Sequence, residues 1–279
     1  MDRLKTESTK IRASRAFLKK GTCSRTFFFV LNREFGHLKD DEERAVDPLA
    51  GGILQQGYQC GMLWGAALGL GAESFRRSEN LEESVALTIL STQHVMESFQ
   101  NRTNTIDCEE ITKTDFSNGW SFAKYMLSGK FTSCFRLAGK WGPEVVEAAH
   151  EGLNMLPDNN EKPAISCSSE LVKKMGGTDE EAAMVAGFAG GLGLSGDGCG
   201  ALAAALWMNN LKEHIRKTGK SAPYKPDRNI FLDAFYKETD FEIECSSICK
   251  RKFESIDEHT EYVRNGGCMQ LIEVLASIK

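Results

Sequence analysis

One series of four cysteines occurs twice in this chain, and that duplication limits what it can fold into more than any other feature. The first series is Cys23, Cys60, Cys108 and Cys134, with gaps of 37, 48 and 26 residues. The second is Cys167, Cys199, Cys245 and Cys268, with gaps of 32, 46 and 23. A fixed shift of 139 residues lays Ala50-Gly51-Gly52 on Ala189-Gly190-Gly191, Gly57 on Gly196, Cys60-Gly61 on Cys199-Gly200, and Leu63 and Ala66 on Leu202 and Ala205. The surrounding sequence has drifted, whereas all four thiols survive in both copies. Such a repeat predicts two homologous units. A chain of 279 residues is long enough for both. The polar, turn-rich Pro157-Asp158-Asn159-Asn160 is the expected boundary, dividing the chain into 1–157 and 158–279.

The local pattern predicts an all-α fold. Arg3–Lys20 reads as a charged amphipathic helix. Thr22 is placed to cap a helix beginning at Cys23, Asn80 one that runs to about Gln100, and Thr178 one with Glu181 three residues on, a capping box. A third helix is expected from Asp40 to about Gln56, and Cys60 and Cys199 each open a helix rich in glycine and alanine. The later helix of the first half is expected to start at Cys134 or at Pro143. Thr218–Pro226 reads as a loop. No stretch alternates with the period of a half-buried strand. The four tryptophans, Trp64, Trp120, Trp141 and Trp207, are expected in the core.

Composition excludes several classes of function. The net charge of −5 and the lack of a basic stripe leave no electrostatic footprint for nucleic acid. The longest apolar runs, Gly61–Ala72 and Cys199–Met208, are too short and too rich in glycine to span a membrane. The charged N-terminal stretch lacks the apolar core of a secretory signal, so a cytoplasmic location is expected. There thiols stay reduced, and nine cysteines point to metal, cluster or redox chemistry more than to structural disulfides. Gly191-Leu-Gly-Leu-Ser-Gly196 matches a dinucleotide fingerprint, but the helical segment before it is the wrong context. It is read as a turn that delivers Cys199, and no nucleotide is expected.

Cys60, Cys134, Cys199 and Cys268 each precede a helical run. A thiol there faces the unpaired amides and the positive end of the helix dipole, which lowers its pKa and favours the thiolate. Thiolate ligates metal, holds an iron–sulfur cluster or attacks a disulfide. No pair of these cysteines has the C-x-x-C spacing of a zinc ribbon or a thioredoxin-type site. Cys249 lies four residues beyond Cys245 and has no counterpart, since Thr112 occupies that place in the first half. It reads as a local metal clip, a resolving thiol or a spare, and as a spare its loss is tolerated. The five histidines, His37, His94, His150, His214 and His259, do not recur between halves and read as surface or boundary residues.

The early Cys23 and Cys167, the glycine clusters before Cys60 and Cys199, the Cys-Gly-x-Leu starts and the two later cysteines of each half together resemble the C_GCAxxG_C_C family. Gly198-Cys199-Gly200-Ala201 follows its pattern closely; Gln59-Cys60-Gly61-Met62 is looser. The family is usually met as a single small helical domain held to be redox-active. A related domain occurs in split-Soret cytochromes, with an iron–sulfur site and a dimer. The resemblance implies that Cys23, Cys60, Cys108 and Cys134 in one half, and Cys167, Cys199, Cys245 and Cys268 in the other, converge on one site per half. The leading expectation is a [2Fe–2S] cluster at each site for electron transfer or sensing, with an unidentified redox partner. Cofactor-free thiol–disulfide chemistry and a zinc or soft-metal site are the alternatives. The resemblance also implies that the two halves mimic a homodimer and are related by an approximate two-fold axis.

Overall fold

The structure, a computed structural model, describes residues 13–37, 39–78, 80–116, 118–155, 163–216 and 230–278. The expected Pro157–Asn160 boundary, residues 3–12 of the first predicted helix and the Thr218–Pro226 loop lie outside the described residues. Among those described the protein is all-α, with two isolated antiparallel bridges and no strand. The first half contains α1 (13–20), α2 (Cys23–Phe35), α3 (Asp40–Ala45), a 3-10 turn at Asp47–Leu49, α4 (Gly61–Ser78), α5 (Leu81–Thr103), α6 (Cys108–Thr112), α7 (Gly119–Leu127) and α8 (Phe131–Gly152). The second repeats the plan from α2 onward with α9 (Cys167–Lys174), α10 (Asp179–Met184), a 3-10 turn at Ala186–Phe188, α11 (Gly200–Arg216), α12 (Ile230–Thr239), α13 (Cys245–Cys249), α14 (Ile256–Arg264) and α15 (Met269–Ser277).

The helix starts follow local chemistry. The Thr22 hydroxyl accepts from the Arg25 amide, the Asn80 side chain from Glu82, and Thr178 and Glu181 form the expected capping box. The third helix is shorter than expected and stops at Ala45. Pro48 supplies no N–H and disfavours helical backbone at the residue before it. The last long helix of the first half begins at Phe131 and runs through Pro143. Trp141 anchors it there, with its ring 4.7 Å from the rings of both Phe27 and Phe99. Packing thus outweighs the one backbone bond the proline removes.

After each 3-10 turn the chain enters a left-handed turn. Gly51, Gly52, Ile53, Leu54 and Gln55 all have positive φ, and so do Gly190, Gly191, Leu192, Gly193 and Leu194. Left-handed backbone costs a non-glycine residue about 1–2 kcal/mol. Burial offsets this for Ile53, Leu54, Leu192 and Leu194, all of which are buried. Glycine is required at Gly52 and Gly191. A Cβ there would lie 2.3 Å from the Tyr58 amide and 2.6 Å from the Asp197 carbonyl, respectively.

The halves pack reciprocally. α4 lies on α10 and on the second 3-10 turn, while α11 lies on α3 and on the first. At the residue level, Gly71 of α4 approaches Ala183 and Met184 so closely that a Cβ would meet the Ala183 carbonyl at 2.4 Å. Its counterpart, Asn210 of α11, donates to the carbonyls of Arg44 and Ala45, the counterparts of Ala183 and Met184, at 3.4 and 3.1 Å. Contacts exchanged in this way are the signature of an approximate two-fold axis. Gln59 and its counterpart Gly198 meet near that axis: a Cβ on Gly198 would lie 2.5 Å from Gln59 Oε1. Only one member of the pair has room for a side chain, which accounts for the first half's departure from Gly-Cys-Gly. Gln59 uses the space to donate across the interface to the Gly191 carbonyl at 3.2 Å. Trp64, Trp141 and Trp207 are fully buried as expected, whereas Trp120 is 88% exposed.

Two predictions concern this framework. Gln55 bears left-handed strain without full burial, so Gln55→Gly is expected to raise unfolding stability by about 0.5–1 kcal/mol in denaturant titration. Gly191→Ala is expected to destabilise the fold by several times that. Asp107, near Asp197 and Glu244, has its carboxyl pushed up to about 6 by burial and by these neighbouring acids. Its ionised form is therefore disfavoured in the folded chain, and stability falls as pH rises from about 4 to about 6. Asp107→Asn should remove that slope and add about 1 kcal/mol at pH 7, after allowance for partial exposure. The gain should vanish below about pH 4.

Candidate functional site

Each cysteine stands where a loop meets a helix. Cys23 and Cys167 are the first residues of α2 and α9, and Cys108 and Cys245 those of α6 and α13. Cys60 and Cys199 immediately precede α4 and α11, at the end of the left-handed turn. Cys134 lies in the first turn of α8, and Cys268 caps α15 with φ 60°. A backbone clasp joins the second and third cysteines. The Cys60 amide donates to Ile106 and the Cys108 amide to Tyr58, both at 2.7 Å. The equivalent bonds, Cys199 to Ile243 and Cys245 to Asp197, are 2.9 and 2.6 Å. Gly61 leaves room for the first thiol, since a Cβ there would lie 2.7 Å from Cys23 Sγ. All nine cysteines are free thiols.

The thiols of each half lie within electrostatic reach of one another. In the first half, Cys60 donates to Cys23 and holds its pKa below the ordinary value against the cost of burial, with help from the backbone N–H groups of Gly51 and Ser24. The same bond and burial push Cys60 well up. Burial raises Cys108 and Cys134, although the Tyr125 hydroxyl lies 3.2 Å from Cys134 Sγ and opposes the rise there. In the second half, burial raises Cys167 and raises Cys199 to about 12, while Cys245 and Cys268 are raised first by their hydrogen bonds to Cys249. The expectation that Cys60, Cys134, Cys199 and Cys268 are acidified by their helix starts therefore fails. Cys60 and Cys268 are raised first by the hydrogen bonds they give to Cys23 and Cys249 and then by burial, and for Cys134 and Cys199 desolvation of a thiolate outweighs a few aligned amides.

Cys249, which the repeat pattern leaves as a spare, lies at the centre of the second group. Its Sγ is 3.9 Å from that of Cys245 and 3.7 Å from that of Cys268. Hydrogen bonds from Cys245, Cys268 and Tyr262 pull it down to about 3 and favour its thiolate. The i, i+4 spacing on α13 brings it beside Cys245. His259, expected near the surface, is buried, and burial lowers its pKa to about 4. Leu81, Val85 and Ile89 of α5 pack with Cys245, Cys249 and Phe253, so the first half helps to enclose the second site.

Two aromatic residues per half escaped the sequence reading. Tyr125 and Tyr262 each follow the third cysteine of their half by 17 residues, and Phe116 and Phe253 follow it by 8. The ring pairs recur in space, Phe116 with Tyr125 at 5.0 Å and Phe253 with Tyr262 at 5.1 Å. Each tyrosine hydrogen-bonds a site thiol. The constant offset from Cys108 and Cys245 was the available signal, and a comparison confined to cysteines and glycines passes over it.

Among the described residues, no three or more His, Cys, Asp or Glu side chains are grouped so as to hold a metal ion. None of the described helices is long and apolar enough to cross a membrane. A family model described as "Putative redox-active protein (C_GCAxxG_C_C)" matches residues 22–147 and again 164–278. No curated protein and no solved structure matches the chain.

Tyr262→Phe removes one donor to the Cys249 thiolate. The pKa of Cys249 should rise by roughly one pH unit, read as thiolate absorbance in the ultraviolet against pH. An unchanged titration would show that the hydroxyl does not stabilise this charge.

Proposed function

Because the chain belongs to the C_GCAxxG_C_C family in both of its halves, we propose that it is a thiol–disulfide redox protein whose second half oxidises dithiols. One observation carries this reading. Cys249 Sγ lies 3.9 Å from Cys245 Sγ and 3.7 Å from Cys268 Sγ, and the hydrogen bonds these thiols give it favour negative charge on Cys249. Cys268 is the more accessible member of the closer pair. In the oxidised protein, with a Cys249–Cys268 disulfide, a substrate thiolate attacks Cys268 Sγ. The S–S bond breaks and Cys249 leaves with the electron pair. Cys249 is the better leaving group because Cys245 and Tyr262 donate to its thiolate. The second substrate thiol loses its proton and attacks the mixed disulfide, and Cys268 is released and protonated. The substrate dithiol becomes a disulfide, the protein gains two electrons, and one proton goes to solvent. A stabilised thiolate in the reduced form makes the disulfide a strong oxidant.

The first half holds a different pair. Cys23 is the acidified thiol and Cys60 its donor. The chain is therefore read as two unequal dithiol sites. An iron–sulfur cluster in each half is the second reading. Its support is that the matched thiols of each half share one neighbourhood and that backbone N–H groups of Gly51, Ser24, Met62, Gly190, Ala201 and Leu202 face the sulfurs. The side chains as arranged do not fit a metal ion, so no step is assigned to one. Zinc has the same difficulty and no separate support.

Redox titration of the protein against glutathione, with disulfides mapped by mass spectrometry, tests the reading. A Cys249–Cys268 disulfide is expected, reduced more readily than an ordinary structural disulfide. Cys249→Ser should abolish it, and Cys199→Ser should leave it in place. Stoichiometric iron and sulfide in protein purified without oxygen, with no such disulfide, would establish the cluster reading instead.

A further inference from the structure

The duplication supplies an internal control for surface residues. Positions that the shared fold requires to be apolar should be apolar in both halves. α7 and α14 are counterparts, and both carry the tyrosine that reaches a site thiol. Their outward faces nevertheless differ. On α7, Trp120 is 88% exposed, Met126 47% and Leu127 90%. Trp120, Lys124 and Leu127 follow i, i+4, i+7 spacing and form one stripe. The residues of α14 that correspond to Trp120 and Leu127 are Asp257 and Arg264, both exposed. The fold therefore does not require an apolar side chain at either place.

Charge has diverged in the same region. From Phe116 to Leu137 there are three cations, Lys124, Lys130 and Arg136, and no acidic residue. The matching stretch, Phe253 to Leu271, holds four acidic residues and one cation. All three cations of the first stretch are exposed. On a chain whose net charge is −5, Lys124 lies on the stripe itself, and Lys130 and Arg136 follow it in the sequence. Beneath it the Tyr125 hydroxyl meets Cys134, and Cys134 and Cys23 are the half-buried thiols of that half, while Cys60 and Cys108 are buried.

We propose that the α7 face is the docking surface for an acidic protein partner that exchanges thiols with the first-half site. Trp120 and Leu127 are its apolar anchors, and Lys124, Lys130 and Arg136 select a partner with a carboxylate rim. Exposed tryptophan and leucine in a segment whose charged side chains are all exposed cations suit an interface with an apolar centre and a charged edge. The partner presents an apolar segment flanked by Asp and Glu, with a reducible disulfide next to it. Cys23, whose thiolate Cys60 favours, attacks one partner sulfur; the partner S–S bond breaks and its other sulfur leaves with the electron pair. Cys60 then gives its proton to that sulfur and attacks the mixed disulfide at Cys23, releasing the first partner sulfur as a thiolate, so the Cys23–Cys60 dithiol is oxidised by two electrons and the partner disulfide is reduced by two. The inference rests on the thiol reading for the exchange and not for the docking, and the test separates the two.

Two probes are used, a short synthetic peptide with a Leu-Phe anchor among glutamates and its twin with lysines, each activated as a cysteine–2-thiopyridine mixed disulfide. Trp64, Trp141 and Trp207 are fully buried, so acrylamide quenching of fluorescence reports on Trp120. The glutamate peptide, in a serine form that cannot react, should shield Trp120 at low salt, and the lysine twin should not. Reduced protein should release 2-thiopyridone from the activated glutamate peptide about 10-fold faster than from its twin, with the adduct on a first-half thiol. In a Lys124→Glu, Leu127→Arg double variant both preferences should disappear, while the rate with neutral dipyridyl disulfide stays that of the parent. Equal rates for the two peptides, or a preference that survives in the variant, would overturn the proposal. Shielding of Trp120 that grows with protein concentration alone would assign the face to a second copy and overturn it too. No reaction with dipyridyl disulfide, with the peptide shielding intact, would retire the thiol reading and leave the docking surface standing.

Discussion

Five consecutive residues of left-handed backbone set the position of the second cysteine in each half, and the rest of the site is built on that turn. It brings the chain back so that the Gly57 and Gly196 carbonyls accept from the Glu109 and Ser246 amides beside the third cysteine, and the Cys60–Ile106 and Cys199–Ile243 bonds close. The turn is unfavourable in isolation, because three of its residues in the first half and two in the second bear side chains. It persists because those side chains, Gln55 aside, are buried between the halves and because the glycines approach backbone where no Cβ fits. Strain of this kind is characteristic of places where a fold holds reactive groups in position.

Burial and hydrogen bonding, more than helix dipoles, decide which thiol carries charge. Desolvation raises most of the cysteines. The two that are lowered, Cys23 and Cys249, are those that other thiols donate to. A chain of S–H donors ending on one sulfur concentrates the negative charge there, and a tyrosine on α14 completes it in the second half. The same helix position in the first half serves Cys134 instead. Equivalent scaffolds thus favour charge at different thiols, a member of the repeated series in the first half and the unmatched Cys249 in the second.

The two-fold arrangement explains much of this divergence. Near the axis a residue meets its own counterpart, and identical side chains compete for one volume. Gln59 and Gly198 resolve that competition by one filling and the other vacating the space. Once the halves are covalently joined they need not stay alike, as two subunits of a homodimer must. α5 of the first half is free to wall the second site, and α7 and α14 are free to present opposite surfaces.

The recurrence of Cys23 to Cys134 in Cys167 to Cys268, the helical periodicity and the caps at Thr22, Asn80 and Thr178 determined, from sequence alone, an all-α fold of two related halves with the cysteines at helix starts. These are local or repeated signals, and a linear pattern records them. The break after Ala45 follows the local rule that Pro48 imposes, although the helical periodicity suggested a longer helix, whereas the inclusion of Pro143 in α8 was less legible, since packing at Trp141 decided it against simple helix rules. Which thiol is charged, the central place of Cys249, the recurring tyrosines and the exposure of Trp120 were decided only by tertiary structure. Each depends on which groups are brought together and hidden from water, and free energies of desolvation and hydrogen bonding are properties of that three-dimensional neighbourhood, which a list of spacings does not contain.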